Sequence, residues 1–80
     1  MDTPTILYIQ GFRFFFYLNE HEPTHIHVSR GDCTARIVLL SMLDITFNKG
    51  FKKKEIRDII QILTDHHEKI IAAWHLAFKR

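Results

Sequence analysis

Three histidines lie within seven positions of this 80-residue chain, at His21, His25 and His27. Imidazole nitrogens bind metal ions and also exchange protons near neutral pH, so the cluster allows two kinds of chemistry. His25 and His27 are two positions apart and would point to the same side of a β-strand. Together with His21 they could give a metal ion three nitrogen ligands and leave one coordination position open, as catalytic zinc sites do.

A cation is predicted beside this cluster. The apolar segments on either side of Gly31-Asp32 are typical of a β-hairpin with a two-residue turn. Strand alternation in that hairpin places His25 and His27 on one face, with Arg36 opposite His27. Because a fixed positive charge disfavours a second cation, the arrangement favours an anion over a metal ion.

His25, His27 and Arg36 together have the groups that metal-independent RNA cleavage needs. That reaction requires a base for the 2′-hydroxyl, an acid for the leaving 5′-oxygen and a cation on the phosphate. Arg36 would keep His27 neutral as the proton acceptor, and the second histidine would be the acid. The competing interpretation is that both histidines are ordinary strand residues. No cofactor is expected.

A first hairpin is predicted from segments 5–10 and 13–18, which flank a Gly11-Phe12 turn of type II′. Its core face would then pair Leu7 with Phe16 and Ile9 with Phe14, and its other face would carry a set of rings and a cation: Tyr8, Arg13, Phe15 and Tyr17. A sheet face of this composition stacks on bases and contacts phosphates in single-stranded RNA binders. The same composition is ordinary for a dimer interface.

A helical period of apolar residues runs from residue 52 to about 79, as one helix or as two pieces with a break near Thr64. Residues 41–51 are irregular or hold a short strand around 44–47. We therefore predict a single α+β domain of residues 1–80. Its small antiparallel sheet, two hairpins with about four strands over residues 5–40, would pack on one long or broken amphipathic helix.

The helix carries two further candidate features. Three lysines open it, where the macrodipole favours anions, and this predicts either a phosphate site or a solvated basic end: Lys52, Lys53 and Lys54. A second apolar strip on the far side predicts a contact with a partner or a second copy: Ile62, Ala73 and Leu76. His67 and Trp74 fall within the main apolar stripe and are predicted in the core.

The overall composition excludes a membrane protein. No apolar run approaches the ~20 residues that cross a bilayer, and the N-terminus lacks the pattern of a signal peptide. The lone Cys33 has no partner for an internal disulfide, which fits a reducing compartment. We therefore expect a soluble, cytoplasmic protein. The net charge of +2 by itself indicates no particular partner.

Several segments together resemble an uncharacterised bacterial family, catalogued as domain of unknown function forty-one sixty. The matching stretches are PTI at 4–6, GFRFFFYLNE at 11–20, EPTHIHV at 22–28, FNKGF at 47–51, EIRDI at 55–59 and AAWH at 72–75. By resemblance, the motif residues are His25, His27, Trp74 and His75. The family is similar to small proteins encoded beside antitoxin-like partners, which implies a toxin-like role. Lys52 departs from the serine or proline usual at that position.

The leading hypothesis is a toxin-like half of a two-component module that contacts RNA through His25, His27 and Arg36, with Arg13, Tyr17 and the three lysines as further RNA or phosphate contacts. Any catalysis would be metal-independent RNA cleavage. One alternative is a non-enzymatic module that binds an antitoxin-like protein or a second copy of itself. A further alternative is a metal protein that uses His21, His25 and His27.

Overall fold

The computed structural model describes residues 5–17, 23–40 and 42–78. The elements in chain order are β1 (Thr5–Ile9), β2 (Phe12–Phe15), β3 (His25–Arg30), β4 (Cys33–Leu39), β5 (Leu43–Lys49), α1 (Lys53–Asp65) and α2 (His67–Phe78). The strands form one antiparallel sheet in the order β1-β2-β3-β4-β5. The predicted α+β class is confirmed. Among the described residues, no helix is long and apolar enough to cross a membrane.

The strand count is five rather than about four, because the short strand that the sequence left open around 44–47 is present and extends over residues 43–49. The segment LDITFNK alternates apolar and polar residues, which is the ordinary pattern of a strand with one buried face. The sheet therefore extends beyond the predicted end at residue 40. Its order follows the chain, so each strand lies beside the one that precedes it.

The first hairpin turns at Gln10-Gly11 and not at Gly11-Phe12. Ile9 pairs with Phe12, and both turn residues have positive φ, 56° at Gln10 and 82° at Gly11. Positive φ at both central positions is the type I′ turn, whose twist matches that of the flanking strands. The predicted type II′ turn is wrong. With the turn at Gln10-Gly11, Phe12 is a strand residue, and its side chain is fully buried in the core.

This turn shifts the predicted register of the first hairpin by two residues. Leu7 pairs with Phe14 instead of Phe16, and Ile9 pairs with Phe12 instead of Phe14. The predicted pairings are therefore wrong. Because side chains alternate between faces with a period of two, the same residues still point to the core.

The second hairpin has the predicted register. Arg30 pairs with Cys33 across the Gly31-Asp32 turn, and His27 pairs with Arg36. Gly31 has a φ of +60°, as the first residue of a type II′ turn requires. The histidines and Arg36 are thus placed by a turn that the sequence identifies correctly.

Both edge strands contain an extra residue. In β5, Phe47 pairs with Arg36 and Ile45 pairs with the next residue of β4, so Thr46 is left over. In β1, Ile6 is the extra residue in the same way. Bulges of this kind bend an edge strand and discourage pairing with another chain, and they also redirect side chains.

One face of the sheet packs on both helices. The buried cluster combines residues of four strands, residues of both helices and two residues of the connections, Phe16 and Phe51: Leu7, Phe12, Phe14, Phe16, Ile26, Val28, Ala35, Ile37, Leu39, Phe51, Ile59, Ile62, Leu63, Ile70, Trp74 and Phe78. The predicted core position of Trp74 is confirmed, and its ring meets that of Phe16 edge-to-face at 5.1 Å. The opposite face of the sheet is called the open face below, and Trp74 of α2 contacts it at His25.

The C-terminal helix is broken at His66, one of the two forms that the sequence left open. The turn changes the phase of the apolar stripe, so the prediction that His67 lies in the core is wrong and this residue is exposed. The predicted second apolar strip is wrong too. Ile62 belongs to the core and Ala73 is partly buried, so only Leu76 remains exposed, at 78%.

An ion pair joins the start of α1 to the sheet. The backbone N–H of Lys52 donates to Glu55 Oε1 at 2.8 Å, and Arg30 Nη2 donates to Glu55 Oε2. Arg30 also lies 4.1 Å above the Phe12 ring and donates to the carbonyl of Gln10 at 3.1 Å. The Lys52 N–H, followed by the Arg30 guanidinium, holds the pKa of the Glu55 carboxyl below its usual value. Glu55 thus supplies the cap that the Lys52 side chain cannot provide.

Candidate functional site

A continuous row of side chains crosses the open face from β2 to β5. Phe15 pairs with His27, His27 with Arg36, and Arg36 with Phe47. We call these four residues the aromatic row. Since neighbouring strands are about 4.8 Å apart, the row is about 14 Å long. A basic group and an imidazole are therefore flanked by a ring on each side.

His27 is surrounded by rings. Its imidazole stacks on Phe15 at 5.5 Å with 19° between the planes, and it meets Tyr17 edge-to-face at 4.6 Å. Phe15 is buried under its neighbours at 6% exposure, whereas Tyr17 is 44% and Phe47 53% exposed. Tyr17 and Phe47 are thus the rings of this group that a flat ligand can reach directly.

Two arginines on the open face are each held by a threonine of an edge strand. Arg13 Nε donates to Thr5 Oγ1 at 2.8 Å, and its guanidinium lies 4.5 Å above the Phe15 ring. Arg36 Nη1 donates to Thr46 Oγ1, also at 2.8 Å. Both guanidinium groups are therefore oriented before any ligand arrives.

A second row, next to the first, is mainly polar and crosses all five strands. It consists of Tyr8, Arg13, Ser29, Thr34 and Lys49, each paired with the next. Tyr8 at one end is 70% exposed, and Lys49 at the other end is exposed. The open face thus combines rings in one row with cations and hydroxyls in the next.

A shallow pocket of about 300 Å³ lies over the aromatic row. The open-face side chains that line it are Phe15, Tyr17, His27, Thr34, Arg36 and Phe47. This volume is at the lower end of the range for small-molecule pockets. The pocket therefore suits one flat group of the size of a base better than a folded macromolecular surface.

His25 is positioned differently from His27. Its side chain is 1% exposed, and its Nδ1–H donates to the carbonyl of Pro23 at 2.6 Å, because a carbonyl can only accept. The ring meets Trp74 at 5.2 Å and His27 at 5.1 Å, edge-to-face in both cases. His25 does not line the pocket, and its contact with the binding surface is through the ring of His27.

A family model described as "Domain of unknown function (DUF4160)" matches residues 11–75, which is most of the chain. The chain belongs to the DUF4160 family. Comparison with curated proteins and with solved structures gave no match. The resemblance seen in the sequence is thereby confirmed at the level of the family. The match covers the four residues of the aromatic row and the buried pair His25 and Trp74.

The metal site predicted for this DUF4160 chain was His21, His25 and His27. His21 lies outside the described residues, so the geometry of the three together is not defined. Within the described ranges, no three His, Cys, Asp or Glu side chains are arranged to hold a metal ion. The metal site stays a prediction, as do the catalytic roles of His25, His27 and Arg36.

The predicted phosphate contacts of the DUF4160 chain fall into two groups. Arg13 and Tyr17 lie on the open face, beside the aromatic row. Three residues lie elsewhere, exposed at the start of α1 and outside the lining of the pocket: Lys52, Lys53 and Lys54. The backbone N–H of Lys52 already donates a hydrogen bond to the Glu55 carboxylate. The structure therefore brings Arg13 and Tyr17, and not the lysines, to the pocket region.

Sequence reasoning missed the contribution of β5 to the open face of this DUF4160 member. Thr46, Phe47 and Lys49 all take part in the two rows or hold Arg36. The alternation of the LDITFNK segment was available as a signal for the strand. Plain alternation, however, would put Phe47 on the core side with Ile45, and only the extra residue at Thr46 turns its ring to the open face.

Proposed function

We propose that this protein binds single-stranded RNA across the open face of its sheet. One observation carries the proposal. The aromatic row, Phe15, His27, Arg36 and Phe47, runs without a gap across four neighbouring strands on the face opposite the helices. Sheets that bind single-stranded RNA stack its unpaired bases on rings that stand on the strands.

The exposed rings supply the stacking surface in this proposal. Tyr17 and Phe47 are about half exposed, so a base gains contact area on them without displacing the core. Base–aromatic stacking contributes about 1–3 kcal/mol per base and tolerates any sequence. A duplex keeps its bases stacked on each other, so this surface favours single strands.

The cations of the open face supply the contact with phosphates. Arg13 is oriented by Thr5, and Lys49 ends the polar row. On a single strand, each phosphate that a cation neutralises makes the slope of log K against log salt concentration more negative by about 0.7. A few such contacts are enough for an affinity that falls clearly as salt is added.

Binding is better supported than cleavage. His27 and Arg36 line the pocket, but His25 is buried against Trp74 and hydrogen-bonded to Pro23. An acid and a base that act on RNA must both reach it. Ribonuclease activity, the toxin-like role and the antitoxin-like partner remain predictions from the sequence, and the proposal does not depend on them.

Fluorescence anisotropy with a labelled single-stranded RNA of about eight nucleotides, a typical site size for such surfaces, tests the proposal. We expect measurable binding that weakens with salt, and that weakens further in Tyr17→Ala and Arg13→Ala. Leu76→Ala is the matched control, because it removes an exposed apolar side chain from α2, on the helix side of the sheet. An intact RNA chain after the titration would also argue against cleavage.

Two results would overturn the proposal. One is the absence of RNA binding at low salt by folded protein, and the other is binding that the open-face variants leave unchanged. The sequence also left open a second copy on this face. In that case light scattering would show a dimer that Tyr17→Ala dissociates, and RNA would not bind.

A further inference from the structure

Arg36 is the arginine that lines the open-face pocket, and Thr46 holds its guanidinium. Its Nη1 donates to Thr46 Oγ1 at 2.8 Å, and the same hydroxyl lies 3.3 Å from the Arg36 carbonyl, to which it donates its only hydrogen. The hydroxyl must therefore turn a lone pair toward the guanidinium. This fixes the side chain at one end and leaves the other N–H groups of its planar fork for a ligand.

The bulge in β5 makes this arrangement possible. Because Thr46 is the extra residue opposite Arg36, both Thr46 and the following Phe47 lie beside that arginine. A strand without the bulge would place these two side chains on opposite faces. The bulge therefore sets a ring and an oriented guanidinium side by side on the open face.

A base stacked on Phe47 would have its edge within reach of Arg36. The two residues are paired across β4 and β5, about one strand spacing apart, or ~4.8 Å. The pocket over them, about 300 Å³, has room for a single base. The edge that meets the arginine is then read by N–H donors.

The donor fork selects among the bases. Guanine presents two adjacent acceptors, O6 and N7, and a bidentate contact to this pair is the commonest specific contact of arginine. Adenine offers a donor beside N7, so it does not accept two N–H bonds on that edge. Cytosine has a donor at N4 on the corresponding edge, and its two adjacent acceptors, N3 and O2, lie on the Watson–Crick edge. Uracil offers a single acceptor there.

We propose that Arg36, positioned by Thr46, selects a guanine base of single-stranded RNA in the open-face pocket. This inference rests on the proposed function and adds a base preference to it. Thr46 is a positioning residue, because it acts through the orientation of Arg36. Phe47 supplies the stacking surface and has no preference of its own.

The test compares labelled oligouridine with the same strand carrying one guanine or one adenine. Wild-type protein should bind the guanine strand roughly 5- to 150-fold more tightly than the adenine strand, the range of one bidentate pair. Arg36→Lys keeps the charge but not the planar fork, so it should lose this ratio. Guanosine monophosphate is tested in parallel.

Substitutions at Thr46 separate positioning from simple contact. Thr46→Val removes the hydroxyl at nearly constant shape and should reduce the guanine preference, and Thr46→Ser should restore it. Thr64→Val is the matched control, since it makes the same change at an exposed threonine of α1. Unfolding midpoints in urea verify that each variant is folded.

Each possible result bears on one of the two proposals. If no strand binds, the proposed function fails, and the base preference fails with it. If all strands bind alike, RNA binding stands and the guanine proposal is overturned. If Arg36→Lys or Thr46→Val keeps the full ratio, another group reads the base. If guanosine monophosphate binds as tightly as the guanine strand, the pocket recognises the free nucleotide. The proposal that its ligand is RNA is then overturned.

Discussion

Replacement of Phe47 by alanine should separate RNA affinity from stability. Phe47 is 53% exposed, so about half of the side chain is buried and contributes to the free energy of unfolding. Full burial of a phenylalanine is worth about 1.5–3 kcal/mol, which makes the expected cost in unfolding free energy about 0.7–1.5 kcal/mol. A domain of this size has roughly 4–12 kcal/mol of stability and stays folded. The loss of one stacking platform should cost about 1–3 kcal/mol of RNA binding, or about 5- to 150-fold in Kd.

The assay is a pair of titrations on the same preparation. Anisotropy with single-stranded RNA gives Kd, and urea unfolding gives the free energy of unfolding. Phe47→Leu should recover most of the stability but little of the affinity, because it restores apolar area without a ring. If Phe47→Ala binds RNA as tightly as the wild type while it remains folded, the stacking role of β5 is refuted.

Three further predictions follow from the packing. Gly50→Ala should destabilise the fold by about 1–3 kcal/mol in urea, because φ is +97° and a Cβ there would lie 2.8 Å from Cys33 Sγ; an unchanged midpoint would contradict this. The pKa of Glu55 is lowered in the folded state, so its contribution to stability is complete above about pH 4.5 and is lost as pH falls through the folded pKa. Glu55→Gln should therefore flatten the acid limb of a pH–stability curve, and an identical limb would argue against the ion pair. His25→Ala should lower stability by about 1–3 kcal/mol through its lost buried hydrogen bond, whereas His27→Ala should mainly lower RNA affinity; equal effects on both would contradict their different placement.

The second hairpin shows how far local turn chemistry can be taken from sequence. Gly31-Asp32 allowed one sensible two-residue turn, so the pairing of His27 with Arg36 was predicted and is confirmed. In the first hairpin Gly11 can serve as either the first or the second turn residue. In the structure the turn is at Gln10-Gly11, where positive φ at both positions fits the twist of the strands.

The remaining differences come from features that single-residue patterns do not record. The sequence left open a helix break near Thr64, but it has no proline or glycine close to His66 to decide for the break. The change in the phase of the apolar stripe was therefore not predicted. The extra residue at Thr46 likewise reverses the side of Phe47 without disturbing the alternation of the sequence. The candidate site was therefore half predictable: its histidine and arginine follow from a turn, and its outer ring follows from a bulge.

The burial of His25 also lay beyond the sequence. Alternation places it on the same side of β3 as His27, but His25 begins the strand and its ring contacts Trp74 of α2. Which of the two histidines is covered depends on where Trp74 of α2 packs, and that is set by tertiary packing. The predicted pair thus divides into one buried residue and one that lines the pocket.

The most direct test of RNA binding on the open face is an NMR titration of the isotope-labelled protein with single-stranded RNA. The largest amide shifts should follow the aromatic row and its neighbours on β2 to β5, at Phe15, His27, Arg36 and Phe47, while the exposed positions of α1 and α2 stay unchanged. Shifts confined to the helices, with the lysines at the start of α1 among them, would contradict it. So would the absence of any shift at low salt.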